Sequence, residues 1–455
     1  MKNAVILCAG AGTKFWPYAE IRCKAMMPVS NKPIVAYSVD ALTELGFDNI
    51  VIVGSKFIEE IHSYFRDYKN VTVICDDKPK GTAYSLLKAK DYIDGDFLCL
   101  YGDTIIDIED LRALAETYES EKKAVALIAE ITRRLGDYIG CKLKGDMIDS
   151  IWGHSRDEST HHFGGFAFSS DIFDVLAYNS CRFVSADVGM MIPVEGYLES
   201  TLADELRRGN MQIVALMAKE TFYDIDRPWD ALRANSAMNV KKCSALTCNE
   251  LAEGAHIDES ATISGYVKLG KNSVIGKNVI IMGNVIVGDN TKILNGALVS
   301  GDVVIGNDCS IRNACFIEGG STVGNECIVS HAAELDGMIL NRVYLYHYME
   351  WFGIIGENTD LGAATVCGSL RFDDSITLQN VKGRREFHDG YGDAVFLGDY
   401  CRTGVNAIFM PGTKVGVYSI VGAGVLLNKD VPNNTIIYNE QNLKEKSWGT
   451  NKYGW

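Results

Sequence analysis

A glycine-rich run, two lysines and two aspartates carry the first chemistry legible in this chain. Cys8-Ala9-Gly10-Ala11-Gly12-Thr13-Lys14 follows directly on a short apolar stretch. A glycine-rich turn leaving a strand lets backbone N–H groups approach a phosphate or a base closely. Lys14 closes the run, and Lys24 lies ten residues on, in CKAMMPVSNKPI. Neither falls in an amphipathic pattern, so both are free to project into a cleft. The run is not a P-loop, because no Gly-Lys-Ser/Thr follows at the required spacing. It is not a dinucleotide fingerprint either, since Thr13-Lys14-Phe15 stands where a third glycine would open a helix. Asp103, in LYGDT, follows another apolar run, and Asp224 lies in FYDIDRPWDAL. Mg²⁺ takes one or two carboxylates and completes its shell with substrate phosphates. Taken singly, each aspartate would serve equally well as a helix cap or turn residue.

The elements that must position these groups form an alternating series. Ala4–Cys8, NIVIVG from Asn49, Val71–Cys75, Phe97–Tyr101 and AVALIAE from Ala124 are short apolar runs separated by helical patterns such as IVAYSVDALTELGF from Ile34. That alternation predicts an α/β domain with a Rossmann-like, mainly parallel sheet. Asp103 then sits at the carboxyl end of a strand, where such sheets bind ligands. A closing helix is expected from Pro228 to about Asn239, followed by a polar linker.

Beyond residue 250 the period changes. Stepping by six from Ile257 through Ile275, Ile293 and Ile311 to Leu335, all fourteen positions are aliphatic. Glycine follows at Gly270, Gly276, Gly288, Gly306 and Gly324. This hexapeptide repeat predicts a left-handed parallel β-helix, each strand turning an aliphatic side chain inward. The repeat pauses around 336–353 and resumes at Ile355 and Leu361. It breaks for an insertion at about Gly368–Asp393, and continues from Leu397 to Leu427. Of the 44 glycines, 26 fall within 252–440, where corners need them. The expected domains are 1–238, a linker 239–252, the β-helix 253–440 and a tail 441–455.

With 44 Lys+Arg against 59 Asp+Glu, the net charge is −15. That argues against a general nucleic-acid binder, which needs cations against phosphates, and leaves phosphate binding to local lysines and a metal. The amino-terminal apolar run is too short for a signal peptide, and no stretch reaches the length of a membrane span. A cytoplasmic protein with no membrane partner is expected. The 13 cysteines include no CxxC and read as small buried hydrophobes.

The motifs LCAGAGTKFWP, CKAMMPVSNKPI, Gly81-Thr82-Ala83, Tyr101-Gly102-Asp103 and DIDRPWD resemble those of sugar-1-phosphate nucleotidylyltransferases. With the β-helix, nearly the whole chain resembles the bifunctional UDP-N-acetylglucosamine pyrophosphorylase/glucosamine-1-phosphate acetyltransferases. The likeness is closest to archaeal-type members, through SLRFD, NVKGRR and FMPGTKVG. The resemblance implies transfer of a nucleotidyl group from an NTP to a sugar 1-phosphate. It further implies Mg²⁺, acetyl-CoA as co-substrate of a second reaction, and a homotrimer built through the β-helix. Leu7, Cys8, Ala9, Gly10, Gly12, Thr13, Gly81, Thr82, Tyr101 and Gly102 would bind the nucleotide. Lys14 and Lys24 would neutralise its phosphates, Asp103 and Asp224 would hold Mg²⁺, and Gly140 and Gly165 would line the sugar pocket.

Four departures from the family pattern bear on substrate. Asp76 replaces the base-reading Gln; an ionised Asp only accepts hydrogen bonds, so UTP is expected with CTP or dTTP open. Gly153-His154-Ser155 replaces a Glu-Lys-Pro segment that contacts sugar and phosphate. His347, in YHYMEW, is the candidate base for acetyl transfer, but Glu350 stands where a Tyr should follow and Ser369 where an Asn should stand. A β-helix serving only as scaffold is the alternative. Lys382, Arg384 and Arg385 in the insertion could meet a phosphate, although a solvated loop face is the simpler reading.

Overall fold

A computed structural model describes residues 1–132, 138–153, 159–179, 181, 195–387 and 390–450. The apolar runs of the first half become strands of one sheet: β1 (Asn3–Cys8), β2 (Asn49–Gly54), β3 (Val71–Cys75), β4 (Phe97–Tyr101), β5 (Ala124–Glu130), β6 (Gly140–Lys144), β7 (Met147–Trp152), β8 (His161–Phe168) and β9 (Ile213–Met217). Their order is β3-β2-β1-β4-β8-β5-β9-β7-β6. The left side is parallel, and β8 runs antiparallel between β4 and β5. Leu7, Val51, Cys99 and Ala126 form one core with helix residues of that face, and Ile6, Ile50 and Leu100 form another on the opposite face. Both faces of the sheet are therefore covered, as parallel sheets require.

The helix Pro228–Ser244 closes this domain. It runs past the expected end near Asn239, and Glu250–Leu251 already pairs in parallel with Val267–Leu269. The expected linker 239–252 thus begins inside the helix and takes in the first strand of the next domain, Glu250–Leu251. The helix is prolonged because its last turns dock on the β-helix. Asn239 Nδ2 donates to the Gly320 and Ser321 carbonyls, each at 2.9 Å, and the buried Cys243 lies against Val303.

The second half is a parallel β-helix of short strands in three stacks. Coils repeat every eighteen residues, Val267 pairing with Val285 and Val285 with Val303. The six-residue aliphatic series fills its interior, joined by Cys309, Cys315 and Cys327. The expected pause at 336–353 is not an interruption. Glu334–Ile339 and Glu350–Ile355 are six-residue strands paired along their whole length. Each passes from one face to the next without a turn, so the coil shortens to sixteen residues and the spacing of six fails. Gly337 and Gly353 make the bend, with φ 125° and 134°. A Cβ at Gly353 would lie 2.0 Å from the Val395 carbonyl, a contact no other residue could relieve.

All 13 cysteines are free, and eleven are buried. No helix among the described residues is long and apolar enough to cross a membrane.

The two domains share a core. Phe15, Tyr18, Met27 and Trp229 pack with Met338, Ile354, Val381 and Phe396. Tyr18 donates to the Ile354 carbonyl at 2.8 Å, buried Arg22 pairs with buried Asp399, and Trp16 Nε1 donates to Asn433 Oδ1 at 3.0 Å.

Candidate functional site

The carboxyl ends of β1 and β4 open onto a cavity of about 580 Å³. Gly12, with φ 63°, starts the turn that presents Thr13 and Lys14. Its absent Cβ would meet Ala19 Cβ at 2.9 Å, so glycine is needed for both space and conformation. Asp103 follows β4. A two-stranded ribbon then brings Asp224 alongside: Tyr223 pairs with Ile105 and Asp224 with Thr104, and Ile225 N donates to the Asp103 carbonyl at 3.0 Å.

Two residues beyond Asp224, Asp226 joins the cluster. Carboxylate oxygens of Asp103, Asp224 and Asp226 all lie within 4.8 Å of one another. Lys24 bridges Asp103 and Asp226, the latter at 3.1 Å, and Lys14 meets Asp226 at 3.2 Å. Burial and the charges of Asp226 and Asp103 push the Asp224 carboxyl well above the usual carboxylate range. Burial acts the same way on Asp226, but Lys24, Lys14 and Arg227 outweigh it and hold that carboxyl low. Burial opposes the charge on Lys24, while Asp103, Asp226 and Asp224 more than compensate. An all-oxygen donor set of three crowded carboxylates fits a hard divalent cation such as Mg²⁺.

Residues 4–213 match the model of the MobA-like NTP transferase domain, and residues 249–345 that of the GMPPB C-terminal domain. The chain is 33% identical over 447 residues to the bifunctional protein GlmU of Methanococcus maripaludis strain C7, covering 97% of this chain and 98% of that protein. The chain belongs to the GlmU-type family. A second GlmU, from Methanococcus vannielii, is 30% identical over the same share of each chain. A bifunctional sugar-1-phosphate nucleotidylyltransferase/acetyltransferase of Sulfurisphaera tokodaii is 26% identical, covering 94% of this chain and 98% of that protein. This GlmU-type chain is thus a nucleotidyltransferase acting on sugar 1-phosphates.

Of the residues expected in the nucleotide pocket, Gly10, Gly12, Thr13, Lys14, Lys24, Thr82, Tyr101, Asp103 and Asp224 line the cavity. Others support it from behind. Leu7, Cys8 and Ala9 are buried in or just after β1. Gly102 donates to the Leu7 carbonyl at 2.9 Å, and its absent Cβ makes room for Cys8 Sγ. Gly81 (φ 113°) packs on Gly196, and Thr82 Oγ1 accepts from Leu198 N at 2.9 Å.

Three expectations are corrected. Asp76 is buried away from the cavity, where its carboxylate accepts from Ser85 Oγ at 2.8 Å; the helix that begins at Thr82 turns Ser85 toward it. Gly140 and Gly165 do not line the cavity. A Cβ at Gly140 would strike Ser159 and one at Gly165 would strike Leu100, so both are packing glycines. The neighbours Ile139 and Phe163 reach the cavity instead. His154 and Ser155 lie outside the described residues.

Two cavity residues, Asp226 and Glu199, were not singled out from sequence, and a third, Lys382, was weighed there as a phosphate contact. Asp226 stands two residues from Asp224, a spacing that puts both side chains on one side of an extended segment, so the DID triplet held the signal. Glu199 is buried against the cavity; its Oε1 accepts from Tyr101 Oη, and its Oε2 has no partner among the described residues. Burial raises its carboxyl above the usual range. Lys382 lines the same cavity from the β-helix insertion, against the simpler reading of a solvated face.

In the β-helix, His347 sits on an exposed corner. Its Nδ1 lies 2.9 Å from Nδ1 of His331, one coil away, and the rings stack at 4.9 Å. A hydrogen bond between two ring nitrogens needs one N–H and one bare nitrogen.

Proposed function

We propose that the first domain transfers the nucleotidyl group of UTP to a sugar 1-phosphate. A phosphate oxygen of the sugar attacks the α-phosphorus, the bond to the β-phosphate oxygen breaks, and pyrophosphate leaves. The observation that carries this reading is the meeting of Asp103, Asp224 and Asp226 with Lys14 and Lys24 at the strand ends. Such chemistry needs positioning and charge neutralisation rather than a protein nucleophile. Asp103, Asp224 and Asp226 would hold Mg²⁺, which supplies charge neutralisation at the reacting phosphates. Backbone groups of Gly10–Thr13 approach the nucleotide, and Lys14 and Lys24 offset its negative charge. Glu199 Oε2, without a partner among the described residues, meets a substrate hydroxyl or amide, since a buried polar atom left bare is costly.

Turnover of each of the four NTPs and dTTP with a panel of sugar 1-phosphates, read by pyrophosphate release, tests this. UTP is expected to lead, with CTP or dTTP as alternatives. Use of ATP or GTP alone would sink the pyrimidine assignment.

The His331–His347 pair favours a second reaction at the β-helix, transfer of acetyl from acetyl-CoA to an amino-sugar phosphate. The ring that donates its Nδ1–H leaves Nε2 as the atom to act as base. A three-fold assembly through the β-helix completes this reading. Release of free CoA with glucosamine 1-phosphate checks it, and no release would leave the β-helix as a scaffold. A solution mass equal to one 50.0 kDa chain would remove the assembly.

A further inference from the structure

We infer that Lys382, carried by the β-helix, is a phosphate-binding residue of the nucleotidyl site, acting on the β- and γ-phosphates of the bound NTP. The inference rests on the nucleotidyl-transfer reading of that site. Gln379–Val381 and Arg384–Glu386 form an antiparallel hairpin, with Val381 opposite Arg384 and Lys382-Gly383 as its two-residue turn. Both turn residues have positive φ, 51° and 77°, as a type I′ turn requires.

The base of the hairpin is fixed on both sides. Gln379 Nε2 donates to the Gly392 carbonyl at 2.7 Å, and its Oε1 accepts from buried Lys414. Val381 is buried in the interdomain core. Glu386 accepts from Arg227 Nε at 2.6 Å, next to Asp226. The tip is thereby held at the cavity mouth. Lys382 lines the 580 Å³ cavity, and with Thr13 and Lys14 it also lines an adjoining one of about 410 Å³.

Charge explains what the tip is for. Lys14 and Lys24 are both engaged by aspartates. Lys14, Lys24 and Arg227 are matched by the three aspartates, so a divalent cation alone falls short of a triphosphate of about four negative charges. Among the described residues, the Lys382 ammonium has no carboxylate partner, so it remains available to a ligand. Its place with Lys14 in the walls of both cavities suits the departing end of the triphosphate.

The test uses the full chain as wild type, Lys382→Asn and Lys382→Arg. Asn tolerates left-handed φ, so the turn is preserved, and an unchanged melting temperature confirms folding. Calorimetric titration with UTP and with UMP is compared. The expected result is an UTP Kd about ten-fold weaker in Lys382→Asn and restored in Lys382→Arg, with UMP affinity unchanged and the difference shrinking at high salt. Equal UTP affinity in wild type and Lys382→Asn, or equal weakening for UMP, would overturn it. Pyrophosphate release separates this inference from the parent reading. Lysine-dependent binding without turnover of any sugar 1-phosphate defeats the parent reading alone. Normal turnover with a silent Lys382→Asn defeats this inference alone.

Discussion

In the α/β domain, Lys14 and Asp226 meet across 212 residues of chain in a cleft that partly buries the aspartates; in the β-helix, His331 and His347 meet across 16 residues on an exposed corner. The first arrangement depends on strand ends and a ribbon converging, so its charges are crowded, with the Asp224 carboxyl pushed up and the Asp226 carboxyl held low. The second follows from the coil spacing alone, which stacks like positions above one another. A long-range site is desolvated by its own fold. A solenoid corner needs a further body to cover it, which ties the proposed second reaction to assembly.

The sharpest break in this comparison is Asp103→Ala. It should lower pyrophosphate release by on the order of 10³-fold, the scale of losing a preorganised charge group in an active site, while CoA release persists. Retained activity with Mg²⁺ would take Asp103 out of the site. Next comes Trp351→Ala. Trp351 is 1% exposed and meets Phe409 edge-on at 5.3 Å in the β-helix interior. Truncation should cost about 3–5 kcal/mol in denaturant unfolding, and a loss below about 1 kcal/mol would contradict the packed-column picture.

A smaller effect concerns pH. Burial, then the charges of Glu318 and Glu334, push the Asp336 carboxyl up to about 6 from an ordinary 3.8. The folded state binds this proton more tightly than the unfolded state. Its stabilising contribution is therefore full below pH 4 and lost as pH rises through 6. Asp336→Asn should be more stable than wild type at pH 7 by about 1 kcal/mol, after discounting for partial exposure, with the advantage gone at pH 4. A melting-temperature difference independent of pH would refute this. The smallest effect is His347→Ala on the first reaction. Pyrophosphate release and melting temperature should match wild type, because the ring is exposed and lies outside the nucleotidyl cavity, while CoA release falls away.

How far the sequence reached differs between the halves for the same reason. The aliphatic step of six named the β-helix interior, because each strand's facing is local. It misread 336–353, where Gly337 and Gly353 let strands run through a corner and the count changes from eighteen to sixteen. In the first domain, residue type and spacing picked out Lys14, Lys24, Asp103 and Asp224, since strand-end loops carry the chemistry in such sheets. Asp76, Gly140 and Gly165 were misplaced, because whether a side chain faces a cavity or a neighbouring helix is set by packing, not by motif.

By itself, the sequence determined the two architectures, the nucleotidyltransferase class and most of the charged groups that meet in the cavity. All of these follow from periodicity and residue type within single elements. Only the tertiary structure decided that Asp226 completes the carboxylate cluster, that Glu199 is left bare in the wall, and that Lys382 arrives from the other domain. Each depends on which distant segments pack together, and that is settled by the shared core of Phe15, Tyr18, Trp229, Ile354 and Phe396 rather than by any local pattern.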